Sequence, residues 1–457
     1  MDTADLTVTG AAPAAPPRFV SGSLLRHILI MTGTGAVGLV AIFIGDLANI
    51  LFLSWLGDEA IVAAVGYGSS ILFFTTSIGI GLSIAATSLV SPAIGAGHRP
   101  RARQMAASAL MLTLAASIVL TVVVWVAVSP LLSLLGAEGR THDLARDYLW
   151  ILVPFLPPLA LAMTATGILR SVGDARRAMH ITLIGAIVNI ALDPFFIFTL
   201  GLGIHGAAIA SGLARIAMVA YALFAVVRVH DMAARPTVSA LQADWPPLLA
   251  VAVPAVLTNI ATPVGNAYVT AAIAAHGDSA VAAWAIIGRI IPVAFGAIYA
   301  LSGSIGPIIG QNYGAGENDR MRRAFTLSLA VNAAFTFAAW IALMLGTGLI
   351  LEFFKQSGSS AELIRLFNIM LSPLFVFLGA LFVANAAFNT LGRAQLSTWL
   401  NWGRATVGTI PFVEFGSRQA GAEGVLAGNM IGGIAFGALA VWLCYRLMDR
   451  LRIDAMK

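Results

Sequence analysis

Twelve apolar stretches follow one another along this chain, separated by short polar connectors. They run over about 28–56, 61–92, 102–129, 145–169, 178–200, 204–227, 246–275, 280–312, 322–351, 363–391, 395–417 and 422–445. A helical membrane crossing needs about 20 apolar residues, and each stretch supplies that length. The composition agrees: 59% of the 457 residues are hydrophobic, 10% are charged, and the mean hydropathy is +0.90. Soluble domains carry about 25% charged residues, so a water-soluble enzyme is excluded. The 45 Gly and 14 Met suit packed membrane helices, where small residues let backbones approach. The expected fold class is all-α integral membrane, with twelve transmembrane helices.

The connectors set an orientation. Of 24 Arg and 2 Lys, 18 fall in the N-terminal tail, the even-numbered connectors and the C-terminus. Among them are Arg99, Arg101, Arg103, Arg170, Arg176, Arg177, Arg320, Arg322 and Arg323. The opposite side holds five (Arg140, Arg146, Lys355, Arg365 and Arg418), and Arg215, Arg289 and Arg404 fall inside spans. Positive residues accumulate on the cytoplasmic side, so both termini are expected there, in the plasma (inner) membrane. The same bias accounts for the net charge of +5 without nucleic acid as a partner. The single cysteine, Cys444, excludes an internal disulfide, and the seven scattered His give no metal-site spacing. Residues 1–27 begin rich in Ala, Pro and Thr and lack a basic head before an apolar core. They read as a disordered cytoplasmic tail rather than a signal peptide.

The chain repeats itself. Gly57-Asp58 followed by Val62-Ala63-Ala64 returns as Gly277-Asp278 followed by Val281-Ala282-Ala283. Ile94-Gly95-Ala96-Gly97 returns as Tyr313-Gly314-Ala315-Gly316, Gly173 before Ala175 as Gly392 before Ala394, and Gly203-x-x-Gly206 as Gly421-x-x-Gly424. All four matches lie in order at offsets of 218 to 220 residues. Each half holds six spans, an even number, so the halves share one topology. This parallel repeat divides the chain into an N-terminal lobe (28–228), a cytoplasmic linker (229–245), a C-terminal lobe (246–447) and a cytoplasmic C-terminal tail (448–457). A ligand site is expected between the lobes near the membrane centre, as in secondary transporters.

Charged side chains inside spans point to that site, because each costs several kcal/mol in lipid unless it faces a cavity or a partner. The N-terminal half has two acids well inside, Asp46 and Asp193, at depths of roughly 14 and 10 Å from the outer end at 1.5 Å per residue. Asn189 and Asp193 are spaced i,i+4, and Asp46 and Asn49 i,i+3, so each pair shares a helical face. In the other half Glu414 is the acid well within a span, close enough to its end to reach water or to partner Arg404 or Arg418. Arg215 and Arg289 are expected to neutralise Asp46 and Asp193, or to meet an anionic group of the substrate. No span holds the nucleophile or paired-His constellation of a membrane-embedded enzyme, so no catalytic residue and no cofactor are expected.

Several motifs carry a resemblance. Leu169-Arg170-Ser171-Val172-Gly173-Asp174-Ala175-Arg176 resembles the signature after the fourth helix of the multidrug and toxic compound extrusion (MATE) family. Asn189-Ile-Ala-Leu-Asp193-Pro194 and Gly203-Ile-His-Gly206-Ala-Ala-Ile-Ala-Ser211 are similar to its fifth and sixth helices, and the run from Gly306 to Gly316 to the end of its eighth. The resemblance implies a V-shaped pair of six-helix lobes that exports lipophilic, cationic organic compounds in exchange for H⁺ or Na⁺. In the DinF-like branch the coupling site lies in the N-terminal lobe. Carried onto this chain, its fifth-helix Asn and Asp fall on Asn189 and Asp193, and its sixth-helix Thr on Ser211. The first-helix acid falls on Asn49, while the acid of this span is Asp46, one turn earlier. The seventh-helix Glu of the NorM-like branch falls on Thr262, so a carboxylate site in the C-terminal lobe is not expected.

The expected ion- or proton-coupling site is therefore Asp46, Asn49, Asn189, Asp193 and Ser211. Its alternative is a polar cluster that only locks helices one, five and six together. Asn266, equivalent to Asp46 in the repeat, with Trp284 and Arg289 are candidates for substrate binding. The expected partners are a small organic substrate and membrane lipid, with the chain acting as a monomer. The competing function is a flippase or an exporter of an anionic, zwitterionic or lipid-linked metabolite that uses the intramembrane arginines.

Overall fold

The computed structural model describes residues 17–455, which contain helices and connectors and no strand. Eleven spans are α1 (Leu24–Ser54), α2 (Glu59–Gly95), α3 (Arg99–Leu134), α4 (Gly139–Ser171), α5 (Ala175–Thr199), α6 (Gly203–Val229), α7 (Val238–Ala274), α8 (Asp278–Ala294 continued by Gly296–Gly314), α9 (Asn318–Phe353), α10 (Gly358–Thr390) and α11 (394–419). The twelfth, α12 (422–455), completes the set. Ser23, Asp58, Asp174 and Thr237 start α1, α2, α5 and α7 by accepting a backbone N–H of the first turn, the usual remedy for unpaired N-terminal amides. α8 is bent by 48° at Phe295, between Pro292, which has no N–H for the preceding turn, and Gly296.

α11 and α12 belong to one apolar run of 61 residues, Ala394–Asp454. Drawn straight at 1.5 Å per residue it would be about 90 Å long, three bilayer cores. Ala420 and Gly421 break it with non-helical dihedrals, and the chain then doubles back. A Cβ on Gly416 would strike the carbonyl of Gly424, one on Gly428 that of Phe412, and one on Gly432 that of Gly408. Each pair is symmetric about residue 420, which defines an antiparallel hairpin with backbones in contact. The expected twelve crossings are thus present.

The repeat has a conformational cause. Gly57 and Gly277, Gly97 and Gly316, Gly173 and Gly392, and Gly203 and Gly421 all have φ between +53° and +95°. That left-handed region suits glycine, which lacks the Cβ that clashes there. The four matched pairs sit at equivalent turns of the two lobes, α1–α6 and α7–α12.

The lobes meet along the half of the bundle that carries the termini. Gly95 packs on the backbone of Gln311, Gly314 on Pro92, Gly310 on Ser91, Gly81 on Val256 and Gly35 on Ala300. Toward the other end of α2 the glycine contacts stay within its own lobe: Gly68 on Tyr148 and Gly79 on Met163. The cleft between the lobes therefore opens away from the termini.

Hydrogen bonds reinforce the closed side. Gln311 Nε2 donates to the Ser171 carbonyl at 2.7 Å. Asp244, fully buried at the start of α7, pairs with Arg101 of α3 at 2.6 Å and accepts from Gln104 and Ser108 at 3.0 and 2.7 Å. The segment before α1 crosses the seam. Arg18 donates to the Gly173 carbonyl of the N-terminal lobe at 2.7 Å. Phe19, 1% exposed, donates its N–H to Gln311 Oε1 at 2.8 Å, and its carbonyl accepts from Asn312 and Arg320.

Three expected boundaries differ from this arrangement. Of the tail 1–27, residues 1–16 lie outside the described residues, while 17–27 are ordered, because Phe19 is buried and α1 begins at Leu24. The linker 229–245 contains the first turns of α7 from Val238, held by buried Asp244. From residue 448, α12 continues as helix to Ala455, with Met448 packed at 1% exposure.

Arg320 alone makes three of the seam's bonds, to the carbonyls of Phe19, Ser21 and Gly22. Together these contribute about 2 kcal/mol to the closed side, more than tenfold in its population. Arg320→Ala is expected to raise amide hydrogen exchange in 90–96 and 308–316. Unchanged exchange there would show that the N-terminal segment does not latch the lobes.

The connector between α4 and α5 has its own electrostatics. Burial by itself would raise the Asp174 pKa. Hydrogen bonds from the Arg177 N–H and guanidinium and from His230, with the Arg177 charge, outweigh it and hold the carboxyl below its ordinary value. A carboxyl depressed on folding stabilises above its unfolded pKa, and that stability is lost as pH falls through the folded value. Asp174→Asn is therefore expected to lower the melting temperature at pH 7, with the gap to wild type closing below about pH 4. A gap independent of pH would rule out the ionic contribution.

Candidate functional site

α1 and α5 run side by side in the same direction, and small residues set their spacing. Gly38 of α1 meets Thr182 of α5, and Gly45 meets Ala186. One turn further along the same face, Asn49 Nδ2 donates to Asp193 Oδ2 at 2.9 Å. Asn189 Nδ2 donates to the other oxygen, Oδ1, at 3.0 Å and lies 3.5 Å from Ser211 Oγ on α6. Asp193 is 0% exposed. Pro194 and a five-residue π-helical stretch, Phe195–Thr199, follow it, and such bulges recur at functional sites. Four of the five expected coupling residues thus form one hydrogen-bonded cluster across three helices.

Asp46 stands apart. It is exposed, because its direction on α1 differs from that of the Gly38, Gly45 and Asn49 face packed on α5. Its charged neighbour is Arg215 of α6 rather than Asp193. The two do not form a direct ion pair among the described residues, and Arg289 is exposed and not joined to either acid. Arg215 also donates to the Leu152 carbonyl at 3.4 Å. That oxygen is available because α4 tightens to a 3-10 turn at Val153–Phe155, where the Leu156 N–H bonds Val153 instead. Tyr148, buried on α4, lies within electrostatic reach of Arg215, Asp193 and Asp46. It carried no signal in the sequence beyond its place near the outer end of a span.

In the C-terminal lobe, Trp284 Nε1 donates to Thr270 Oγ1 at 2.8 Å, and that hydroxyl donates to the Asn266 carbonyl at 2.8 Å. Asn266 and Trp284 are thereby joined through one hydroxyl between α7 and α8, with Asn266 exposed. Glu414 accepts from Tyr268 at 2.8 Å and faces Arg418 at 3.9 Å; Arg404 is not its partner. Arg404 instead reaches Thr262, a contact the sequence gave no means of finding. No cluster of three or more His, Cys, Asp or Glu suited to a metal occurs among the described residues.

Two charge environments result. The N-terminal lobe buries a carboxylate among amide donors, and the C-terminal lobe buries a guanidinium. The first is enclosed between α1, α5 and α6, the second between α7 and α11.

The MatE family profile matches this chain twice, over residues 36–195 and 254–413, once in each lobe and at the spacing of the internal repeat. A protein of Shewanella oneidensis named FAD transporter is 30% identical, across 95% of this chain and 97% of its own. The multidrug export protein MepA of Staphylococcus haemolyticus is 21% identical, across 95% and 96%. Among solved structures, a mutant of the Vibrio cholerae MATE transporter VcmN aligns with a TM-score of 0.89 at 25% identity, covering 95% of this chain and 99% of that one. With two six-helix lobes, a cleft between them and a family match in each, the chain belongs to the MatE family of membrane transporters and is not an enzyme.

Proposed function

We propose that this protein is a proton-coupled antiporter that exports lipophilic organic compounds by alternating access of its two lobes. The observation that carries this reading is Asp193, wholly buried and holding an N–H donor on each oxygen, one from α1 and one from α5. Taking a proton on Oδ2 turns that oxygen from acceptor to donor, opposite the Nδ2–H of Asn49. The tie between α1 and α5 then opens, and α1 is released to move. An ion that changes one interhelical contact shifts the balance of states only through that difference, and this contact supplies it.

The same geometry favours H⁺ over Na⁺. Both carboxylate oxygens already face N–H groups, whereas hard cations take oxygen ligands. Placing the coupling group in the N-terminal lobe corresponds to the DinF-like branch. With the arginine-rich termini in the cytoplasm of the inner membrane, the open cleft faces outward, and exposed Asp46 offers a carboxylate to a cationic substrate. The relatives named as multidrug export proteins support drug-like substrates, and the one named FAD transporter supports a wider range. One chain contains both lobes and the cleft, which supports a monomer as the working unit.

The test is ethidium efflux in everted vesicles under an imposed pH gradient or an imposed Na⁺ gradient. Efflux driven by the pH gradient alone is the expected result. Efflux driven only by Na⁺ would overturn proton coupling.

A further inference from the structure

The C-terminal lobe buries a positive charge that pairs with no acid among the described residues. Arg404 lies about ten residues into α11, roughly 15 Å along it, and is 9% exposed. Its Nη2 donates to Thr262 Oγ1 on α7 at 3.1 Å, and its Nε has no hydrogen-bond partner among the described residues. The ionisable group within its electrostatic reach is a phenol, Tyr299 of α8. The acid of its own helix, Glu414, is held by Tyr268 and Arg418. Arg101, Arg103, Arg140, Arg146, Arg177, Arg322, Arg418 and Arg452 have carboxylate partners; they lie near helix ends, not mid-span.

A buried guanidinium without a counterion costs several kcal/mol, and tying α7 to α11 does not call for one. A neutral amide would bond Thr262 without that cost. The surroundings are those of an anion site with an aromatic wall. Tyr299 is 37% exposed, and its ring lies 5.4 Å from that of Phe382 and 6.3 Å from that of Phe375. The next residue, Ala300, meets Gly35 of α1, so this part of α8 runs along the seam between the lobes. One turn before Arg404, Asn401 donates to Asn385 at 3.1 Å, which continues the polar stripe with amides rather than acids. Guanidinium groups recognise carboxylate and phosphate through paired N–H donors, and here Nε is free to join such a pair.

We propose that Arg404, with Thr262 and Tyr299, binds the carboxylate or phosphate of an aromatic organic anion in the cleft. The site rests on reading the chain as an exporter of organic compounds. It adds an anionic substrate class to the cationic one that Asp46 serves.

The test is fluorescence titration of the purified protein with riboflavin 5′-phosphate and with riboflavin, which share a flat ring and differ by one phosphate. No gradient is imposed, so loss of transport and absence of an anion preference are separate results. Wild type is expected to bind the phosphate form about tenfold more tightly, as a charge-assisted pair provides. Arg404→Gln should remove that preference, and Arg404→Lys should weaken it without altering riboflavin binding. Equal binding of both compounds by wild type overturns the proposal whether or not the variants fold. A preference unchanged in both Arg404→Lys and Thr262→Val overturns it as well. Titration in phosphatidylcholine nanodiscs with and without phosphatidylglycerol separates the sources of phosphate. Competition by phosphatidylglycerol would assign the site to a lipid headgroup and overturn its role toward a soluble anion.

Discussion

Replacing Asp193 by Asn is expected to bring pH-driven efflux down to the level of empty vesicles while leaving the protein folded. The substitution keeps the shape of the side chain and removes its ability to take and release a proton. Its structural effect is small. One amide–carboxylate contact, to Asn49 or to Asn189, becomes a donor facing a donor, as it does when the acid takes a proton. The cost is about 1–3 kcal/mol at most, well short of unfolding a twelve-helix bundle. Efflux and thermal unfolding, measured on the same preparation, separate two roles. A polar cluster that merely locks α1, α5 and α6 predicts a lower melting temperature with transport kept. A coupling group predicts transport lost with the melting temperature nearly kept. Full pH-driven efflux by Asp193→Asn would end the coupling proposal. Asn49→Leu is the companion variant, since it cuts the tie to α1 without touching the acid.

The second large effect concerns folding and compares two adjacent glycines of α12. A Cβ on Gly432 would strike the carbonyl oxygen of Gly408, while one on Gly433 would meet nothing within 4 Å. Gly433→Ala should be neutral or stabilise by up to about 1 kcal/mol through helix propensity. Gly432→Ala must push apart the two arms of the α11–α12 hairpin, a displacement of backbone that no rotamer change relieves, at a cost of about 3 kcal/mol or more. Cys444, the single cysteine and 0% exposed on α12 itself, is a built-in reporter. A thiol-reactive dye should label Gly432→Ala at a much lower temperature than wild type, and Gly433→Ala at the same temperature or higher. Equal labelling of the two variants would mean that the hairpin is looser than this packing requires.

How far the sequence reached is visible in these residues. The contact of Asn189 with Asp193 was legible because it spans four residues of one helix. That of Asn49 with Asp193 spans 144 residues and came from the family resemblance, with no local pattern to announce it. What makes it is the Gly38 and Gly45 face of α1, which lets α5 approach. The same packing turns Asp46 away, so two acids at similar depth do not meet in one hydrogen-bonded cluster. Residues 17–27 are ordered although the sequence before them is rich in Ala, Pro and Thr, because Phe19 is buried by Gln311, Asn312 and Arg320 far along the chain.

The sequence by itself determined the crossings, since the bilayer sets the length of an apolar run, and the repeat, since left-handed turns select glycine wherever they recur. Both are local properties, readable one segment at a time. Tertiary structure alone decided which acid is buried, which guanidinium is left without an acid, and which end of the cleft is sealed. These depend on how helix faces meet across hundreds of residues. Side chains at the same depth in lipid are indistinguishable until packing turns one toward a partner and leaves another exposed.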